Sequence, residues 1–246
     1  MELSKISGEN PFARFGHTMN SVSKSKFVLF GGATGDSGKY SITNDAYLFE
    51  TSQLLWKKLS PAGVTPTPRA AHSACSIELL QLIVYGGATG GGGLASDELY
   101  LLDLKNGEEK CQWVLISVIG TTPGRRYGHS MVFCKPFILV FAGNTGNEPV
   151  NDVWSLNLEK SPFSWAKIDC PNSDFPLVRV YHAASLCVTG SANGMMVVFG
   201  GRTADQSALN DTWGLRRHRD GKWDWVRAPY KNNEKPSPRY QVRDIF

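Results

Sequence analysis

The sequence predicts an all-β protein of the propeller class, built from repeated four-stranded blades. Three observations predict it. A compound signature recurs four times at intervals of 53 to 57 residues. Each recurrence contains an apolar run of strand length that ends in glycine, and no stretch has helical periodicity. The signature opens with Arg-x-x-His, at Arg14/His17, Arg69/His72, Arg126/His129 and Arg179/His182. The apolar run then enters Gly31-Gly32, Gly86-Gly87, Ala142-Gly143 or Gly200-Gly201. A polar-Asp step follows at Asp45, Asp97, Asp152 and Asp211, and Trp56, Trp113, Trp165 or Trp225 closes the unit.

Each unit yields four strands in order. The first begins at the histidine, as in His72-Ser-Ala-Cys-Ser-Ile77, whose small apolar residues suit a crowded axis. The second is nearly all apolar (Phe27-Val-Leu-Phe30, Leu82-Ile-Val-Tyr85, Ile138-Leu-Val-Phe141 and Met195-Met-Val-Val-Phe199), as a strand buried on both faces must be. The third runs from the aspartate through Tyr47, Tyr100, Trp154 or Trp213, and the fourth carries the closing tryptophan at the outer edge. Pro-rich segments such as Gly63-Val-Thr-Pro-Thr-Pro68 lead from one blade to the next. In such a meander the connections alternate between the two ends of the strands. The interblade loops and the loops after the glycine pair therefore share one face. The boundaries predicted are 1–13 for an N-terminal outer strand and lead-in, 14–68, 69–125, 126–178 and 179–238 for four blades, and 239–246 for the start of a further one.

Composition narrows the function classes. Net charge is +4, too mild to indicate nucleic acid or an anionic membrane. The five cysteines are scattered, with no C-x-x-C pair, which suits buried thiols in a reducing compartment, cytoplasmic or nuclear. No apolar stretch approaches the roughly 18 residues of a membrane span, and the N-terminus lacks a signal-peptide core. Strand counting gives four complete blades plus terminal strands at 3–11 and from Arg239, an arc expected to be truncated from a larger propeller. Its open ends would invite self-association.

A period near fifty residues with a glycine doublet and a late tryptophan resembles the kelch repeat. The likeness extends to particular phrases: Gly63-Val-Thr-Pro-Thr-Pro-Arg-Ala-Ala-His72, Pro123-Gly-Arg-Arg-Tyr-Gly-His129, His218-Arg-Asp-Gly-Lys-Trp-Asp-Trp225 and Ser237-Pro-Arg-Tyr-Gln241. Over residues 14–241 these resemble the N-terminal propeller of the kelch-containing Ser/Thr protein phosphatases. That resemblance implies a propeller of about six blades joined to a metallophosphatase domain holding two metal ions of the Mn or Fe type. The residues after Gln241 depart from the family pattern. This chain shows no Gly-Asp-x-His-Gly, Gly-Asp-x-Val-Asp-Arg or Gly-Asn-His-Glu run, so no cofactor and no catalytic residue is expected within it.

The candidate recognition residues are Arg14, Arg69, Arg125, Arg126, Arg179, Arg202 and Arg239, with Phe15, Tyr127 and Tyr181 beside them. They fall on the interblade loops or just after a glycine pair, on one face. Converging guanidiniums suit carboxylates or phosphates. The other reading ties each repeated arginine to backbone carbonyls or a neighbouring carboxylate, which leaves Arg125 and Arg202, off the repeat pattern, as the better binding residues. The four His and four Asp read as blade structure, with Asp forming Asx-type turns and His bonding the neighbouring blade. The tryptophans read as fillers between blades. The glycine pairs feed no helix, so they do not read as phosphate cradles.

A second basic cluster, Arg216-Arg-His-Arg219 with Lys222 and Arg227, lies at the hairpin of the fourth blade, on the opposite face. It reads either as a solvated turn or as a dock for an acidic segment. The function expected is recruitment of protein partners or phosphoprotein substrates to a Ser/Thr phosphatase, with no role for nucleic acid or membrane. The alternative is a stand-alone kelch adaptor. A propeller enzyme of the radical copper type would need a Tyr/Cys/His constellation, and the scattered cysteines offer none.

Overall fold

The apolar runs form the strands the sequence predicts. The computed structural model describes residues 6–36, 38–171, 174–229 and 234–241; the departure from the family pattern at 242–246 lies outside them. The chain divides into two compact units, one reaching Ser117 and the other beginning at Val118. Each unit contains two blades.

In the first unit, blade 1 is the antiparallel meander Thr18–Ser21, Lys26–Phe30, Ala46–Glu50 and Leu55–Leu59. Blade 2 repeats it with Ser73–Glu78, Gln81–Tyr85, Leu99–Asp103 and Gln112–Ile116. In the second unit, blade 3 comprises Ser130–Cys134, Phe137–Asn144, Pro149–Asn157 and Phe163–Ile168. Blade 4 comprises Ala183–Leu186, Met196–Phe199, Thr212–Arg217 and Trp223–Arg227. The protein is all-β, and each repeat is a propeller blade.

The tryptophan strand is not the outer edge in three of the blades. A two-residue segment lies parallel to it: Ser7–Gly8 on blade 1, Ala62–Gly63 on blade 2 and Val118–Ile119 on blade 3. The linker passes this open edge and takes up its main-chain groups, which leaves fewer unpaired strand donors and acceptors.

Blades within a unit are joined by the same aromatic wedge. In unit 1, Phe30 of blade 1 meets His72 (ring centroids 5.2 Å apart) and Trp113 (5.0 Å) of blade 2. In unit 2, Phe141 of blade 3 meets His182 (5.1 Å) and Trp225 (4.9 Å) of blade 4. All six side chains are buried, and apolar area removed from water stabilises by about 25 cal/mol per Å².

The histidines also bond the preceding blade. His72 Nε2 lies 2.9 Å from Thr18 Oγ1, and His182 Nε2 lies 2.8 Å from Ser130 Oγ. In both cases the hydroxyl belongs to the residue just after the previous blade's histidine. Burial, assisted by the Arg179 charge, pushes the His182 pKa down from 6.5 to about 3. An unfolded chain takes up that proton near pH 6.5, whereas the folded one resists until about pH 3, so this group's contribution to stability is lost as pH falls through that window. Between pH 6 and pH 4 it should lower the unfolding free energy by up to about 1.4 kcal/mol per pH unit. Urea unfolding across that range should show a shallower slope for His182→Gln than for the wild type. An unchanged slope would mean that His182 does not stay neutral in the fold.

Candidate protein-recognition surface

The guanidinium of each repeated arginine turns inward. Arg179 donates from Nη1 to the carbonyl of Gly200 (2.9 Å) and to Asp211 Oδ1 (2.8 Å), and from Nη2 to Asp211 Oδ2 (2.9 Å). Arg126 does the same in blade 3, to Ala142 O (2.8 Å), Asp152 Oδ1 (2.8 Å) and Asp152 Oδ2 (3.2 Å). Trp154 and Trp213 donate their indole N–H to Asp152 and Asp211 at 2.7 Å. Burial raises both carboxyl pKa values, but the arginine and indole donors outweigh it and hold them below the usual carboxylate range. These aspartates are therefore arginine partners more than Asx turns.

Blades 1 and 2 keep the arginine-to-glycine bond with different partners around it. Arg14 Nη1 donates to Gly31 O at 3.1 Å, its Nη2 is 3.7 Å from Asp45, and its guanidinium lies over Tyr47. Arg69 donates to Gly86 O at 3.0 Å and lies over Tyr100. Arg69, Arg126 and Arg179 are 0 to 1% exposed, and the side chain of Arg14 is 2% exposed. These four guanidiniums are enclosed, so what they present to a partner is the loop they hold.

That loop is tied to its neighbours through the backbone. The second glycine of one repeat donates its N–H to the carbonyl of the next repeat's arginine: Gly32 to Arg69, Gly143 to Arg179 and Gly201 to Arg239, at 2.8 to 3.0 Å. Gly201 has φ +94°, and a Cβ there would lie 2.9 Å from both His182 Cβ and Val180 O, so only glycine allows the approach. Arg239 thus docks on blade 4 as the other lead-in loops dock, with its guanidinium exposed and bonded to Ser237 O (3.0 Å) and Oγ (2.7 Å). Each lead-in loop also pairs with the segment after its own glycine pair, through Phe15 with Ala33, Ala70 with Ala88, Tyr127 with Asn144 and Val180 with Arg202. Within each unit these pairings set the lead-in loops beside the post-glycine segments and build a lead-in face.

On that face the second unit carries a ladder of rings around one guanidinium. Tyr127 and Tyr181 lie 5.9 Å apart. Arg202 sits 5.4 Å from the Tyr181 ring and 5.6 Å from that of Tyr240. Among the described residues no carboxylate pairs with Arg202; its side-chain bond is to Gln206 Oε1 at 3.2 Å. Ring contacts on both sides restrict the guanidinium and leave donors toward solvent, a geometry suited to a carboxylate or phosphate. Arg125 is exposed on the lead-in loop of Tyr127.

Tyr181 holds φ +57°, a left-handed conformation rare for a bulky residue. The equivalent residues Gly16, Ala71, Gly128 and Gln241 share it. The cause is a chain of backbone bonds from loop to loop: Ala71 N–H to Gly16 O, Tyr181 N–H to Gly128 O and Gln241 N–H to Tyr181 O. Gly128 also makes room for the Tyr181 ring, 3.2 Å from where its own Cβ would stand. Burial pushes the Tyr181 phenol pKa above its usual value.

Phe15, in the first unit, instead pairs edge-on with Tyr40 at 5.0 Å, both about half exposed. Tyr40 and Tyr240 were not read from the sequence as site residues. Tyr240 had a signal, because it follows Arg239 as Phe15 follows Arg14 and Tyr127 follows Arg126. Tyr40 had none, since it lies in a loop of variable length.

A family model described as the KLHDC2/KLHL20/DRC7 Kelch-repeats domain matches residues 16–241, and the chain belongs to the kelch-repeat family. It is 34% identical over 239 residues to serine/threonine-protein phosphatase BSL2 of Arabidopsis thaliana, an alignment covering 90% of this chain and 22% of that protein. Adagio protein 3 of the same plant is 33% identical over 205 residues (79% of this chain, 31% of the relative). The F-box/kelch-repeat protein At1g51550 is 28% identical over 225 residues (87% and 46%). The chain thus spans under half the length of each of these relatives.

If Tyr181 is kept for recognition and not for the fold, Tyr181→Gly should change the unfolding free energy by no more than about 1 kcal/mol. Relief of the left-handed backbone, worth about 1 to 3 kcal/mol, then offsets ring contacts worth about 0.5 to 1.5 kcal/mol. A loss of about 3 kcal/mol or more, of core-mutation size, would make Tyr181 a structural residue.

Proposed function

We propose that this chain is the partner-recruiting and regulatory kelch part of a Ser/Thr protein phosphatase, recognising acidic or phosphorylated protein segments at its lead-in loops. The observation that carries the recognition step is Arg202, held between Tyr181 and Tyr240 without a carboxylate partner among the described residues. Tyr127 and Arg125 extend the surface, and Arg239 borders it. The 34% identity to a phosphatase over nine-tenths of this chain supports the catalytic context.

Catalysis belongs to another domain on this reading. The residues here do not fit a dinuclear metal centre. Asp152 and Asp211 are bound to arginines, His72 and His182 to hydroxyls, and among the described residues no three His, Cys, Asp or Glu converge to hold a metal. No described helix is long and apolar enough to cross a membrane. None of the five cysteines forms a disulfide, which supports a reducing compartment, cytoplasmic or nuclear.

The matches to Adagio protein 3 and an F-box/kelch-repeat protein favour a second reading, an adaptor without a phosphatase. Capturing the native polypeptide from its own cells separates the two. A single polypeptide much larger than these 246 residues, hydrolysing p-nitrophenyl phosphate and silenced by chelation, is the expected result. A polypeptide of this length without hydrolytic activity would overturn the phosphatase assignment and leave the adaptor.

A further inference from the structure

The hairpin end of the second unit, opposite the lead-in loops, carries two adjoining clefts of about 530 and 520 Å³. They share Pro136, Phe137 and Arg217. Their floor is apolar: Phe137 meets Trp223 edge-on at 5.8 Å, with Pro136 beside them. Their rim is cationic, with Lys135, Lys160, Arg217 and Arg219 all exposed. No carboxylate lines either cleft among the described residues.

Glu159 adjoins Lys160 in the chain, but the two acids of the blade 4 hairpin already have partners. Asp224 accepts from Arg216 Nε (2.7 Å) and Nη2 (2.8 Å) and lies 3.1 Å from His218 Nε2, while Asp220 lies 3.5 Å from Lys222. Arg216, the first member of the basic run, is therefore neutralised within the hairpin. Among the described residues Lys135, Lys160, Arg217 and Arg219 have no ion pair. They come from three separate turns of two blades yet border the same pair of adjoining clefts, so their charge is focused there and not spread over a solvated turn.

We propose that this double cleft docks an acidic peptide segment that inserts an apolar side chain against Phe137 and Trp223. The cationic rim selects carboxylates, and the aromatic floor selects an apolar anchor between them. A combined space near 1,000 Å³ holds several side chains. Single-stranded nucleic acid fits poorly, because it stacks bases on open ring faces. The Phe137 face is covered by the Arg217 guanidinium at 5.0 Å, and its neighbour Trp223 meets it edge-on. This site is formed by different loops from the lead-in surface and does not depend on the phosphatase reading.

The test is fluorescence anisotropy on the full chain with a labelled peptide of glutamates flanking one leucine, at physiological salt. Arg217→Glu/Arg219→Glu should weaken binding by about tenfold or more, and Lys135→Glu/Lys160→Glu should do likewise from the other side of the cleft. Because Lys135 and Lys160 are exposed, the second pair keeps the test valid if the first disturbs the hairpin. Lys24→Glu, a charge reversal at an exposed residue outside both surfaces, should bind as the wild type does, and replacing the leucine by glycine should weaken binding. Equal affinity in both charge-reversed variants would overturn the proposal. So would equal affinity for the leucine-free peptide, or tighter binding of an oligothymidylate or of phosphatidylserine vesicles.

Discussion

The buried arginine at the head of each repeat is the interaction on which the remaining structure depends. One guanidinium holds the carbonyl of the first residue of the Gly-Gly or Ala-Gly step and, in blades 3 and 4, the carboxylate of Asp152 or Asp211. It thereby ties the second strand's exit to the third strand and holds the lead-in loop of its own blade. In blades 2 and 4 the arginine's own carbonyl also receives the N–H of the preceding repeat's second glycine, Gly32 or Gly143. Side chain and backbone together join strands within one blade and link it to its neighbour. A charge this deeply enclosed is tolerated because its donors are matched by carbonyl and carboxylate acceptors, and removing one partner of such a pair leaves an uncompensated buried charge.

Function follows from what that arrangement leaves free. With the repeated arginines satisfied inside, the residues available to a partner are those the repeat does not need. Arg202 stands where blades 1 and 2 carry Ala33 and Ala88 and blade 3 carries Asn144. Tyr181 stands at a left-handed position that Gly16 and Gly128 occupy more easily. The backbone pairing of lead-in loops with post-glycine segments sets these substitutions side by side. At the other end of the same strands, the hairpins vary without disturbing the arginine clamp, and there the basic double cleft has formed. Blade construction thus separates two surfaces at opposite ends of the second unit's strands.

Much of this was legible in the sequence. Continuous apolar runs such as Ile138-Leu-Val-Phe141 mark strands buried on both faces, and the meander rule assigns loops to faces before any coordinate is known. The reading that ties repeated arginines to carbonyls and carboxylates describes Arg126 and Arg179 as they stand, and Arg202, outside the pattern, is the guanidinium held between the half-buried ring of Tyr181 and the exposed ring of Tyr240. The edge straps were not legible, because Ala62–Gly63 pairs through main-chain groups and carries no side-chain signature. The role of Asp152 and Asp211 was read as local, because sequence spacing does not show that an arginine 26 or 32 residues earlier returns to the same point. Tyr240 was missed for want of extending the repeat alignment one step beyond Arg239.

The most direct measurement is a double-mutant cycle on Arg126 and Asp152, read by urea unfolding of wild type, Arg126→Met, Asp152→Ala and the combined variant. If the clamp organises the repeat, the two substitutions are strongly non-additive, with a coupling energy of about 2 kcal/mol or more. A coupling below about 0.5 kcal/mol, as for independent sites, would contradict the account. The arginines would then have to be reassigned from holding the blades to some other role.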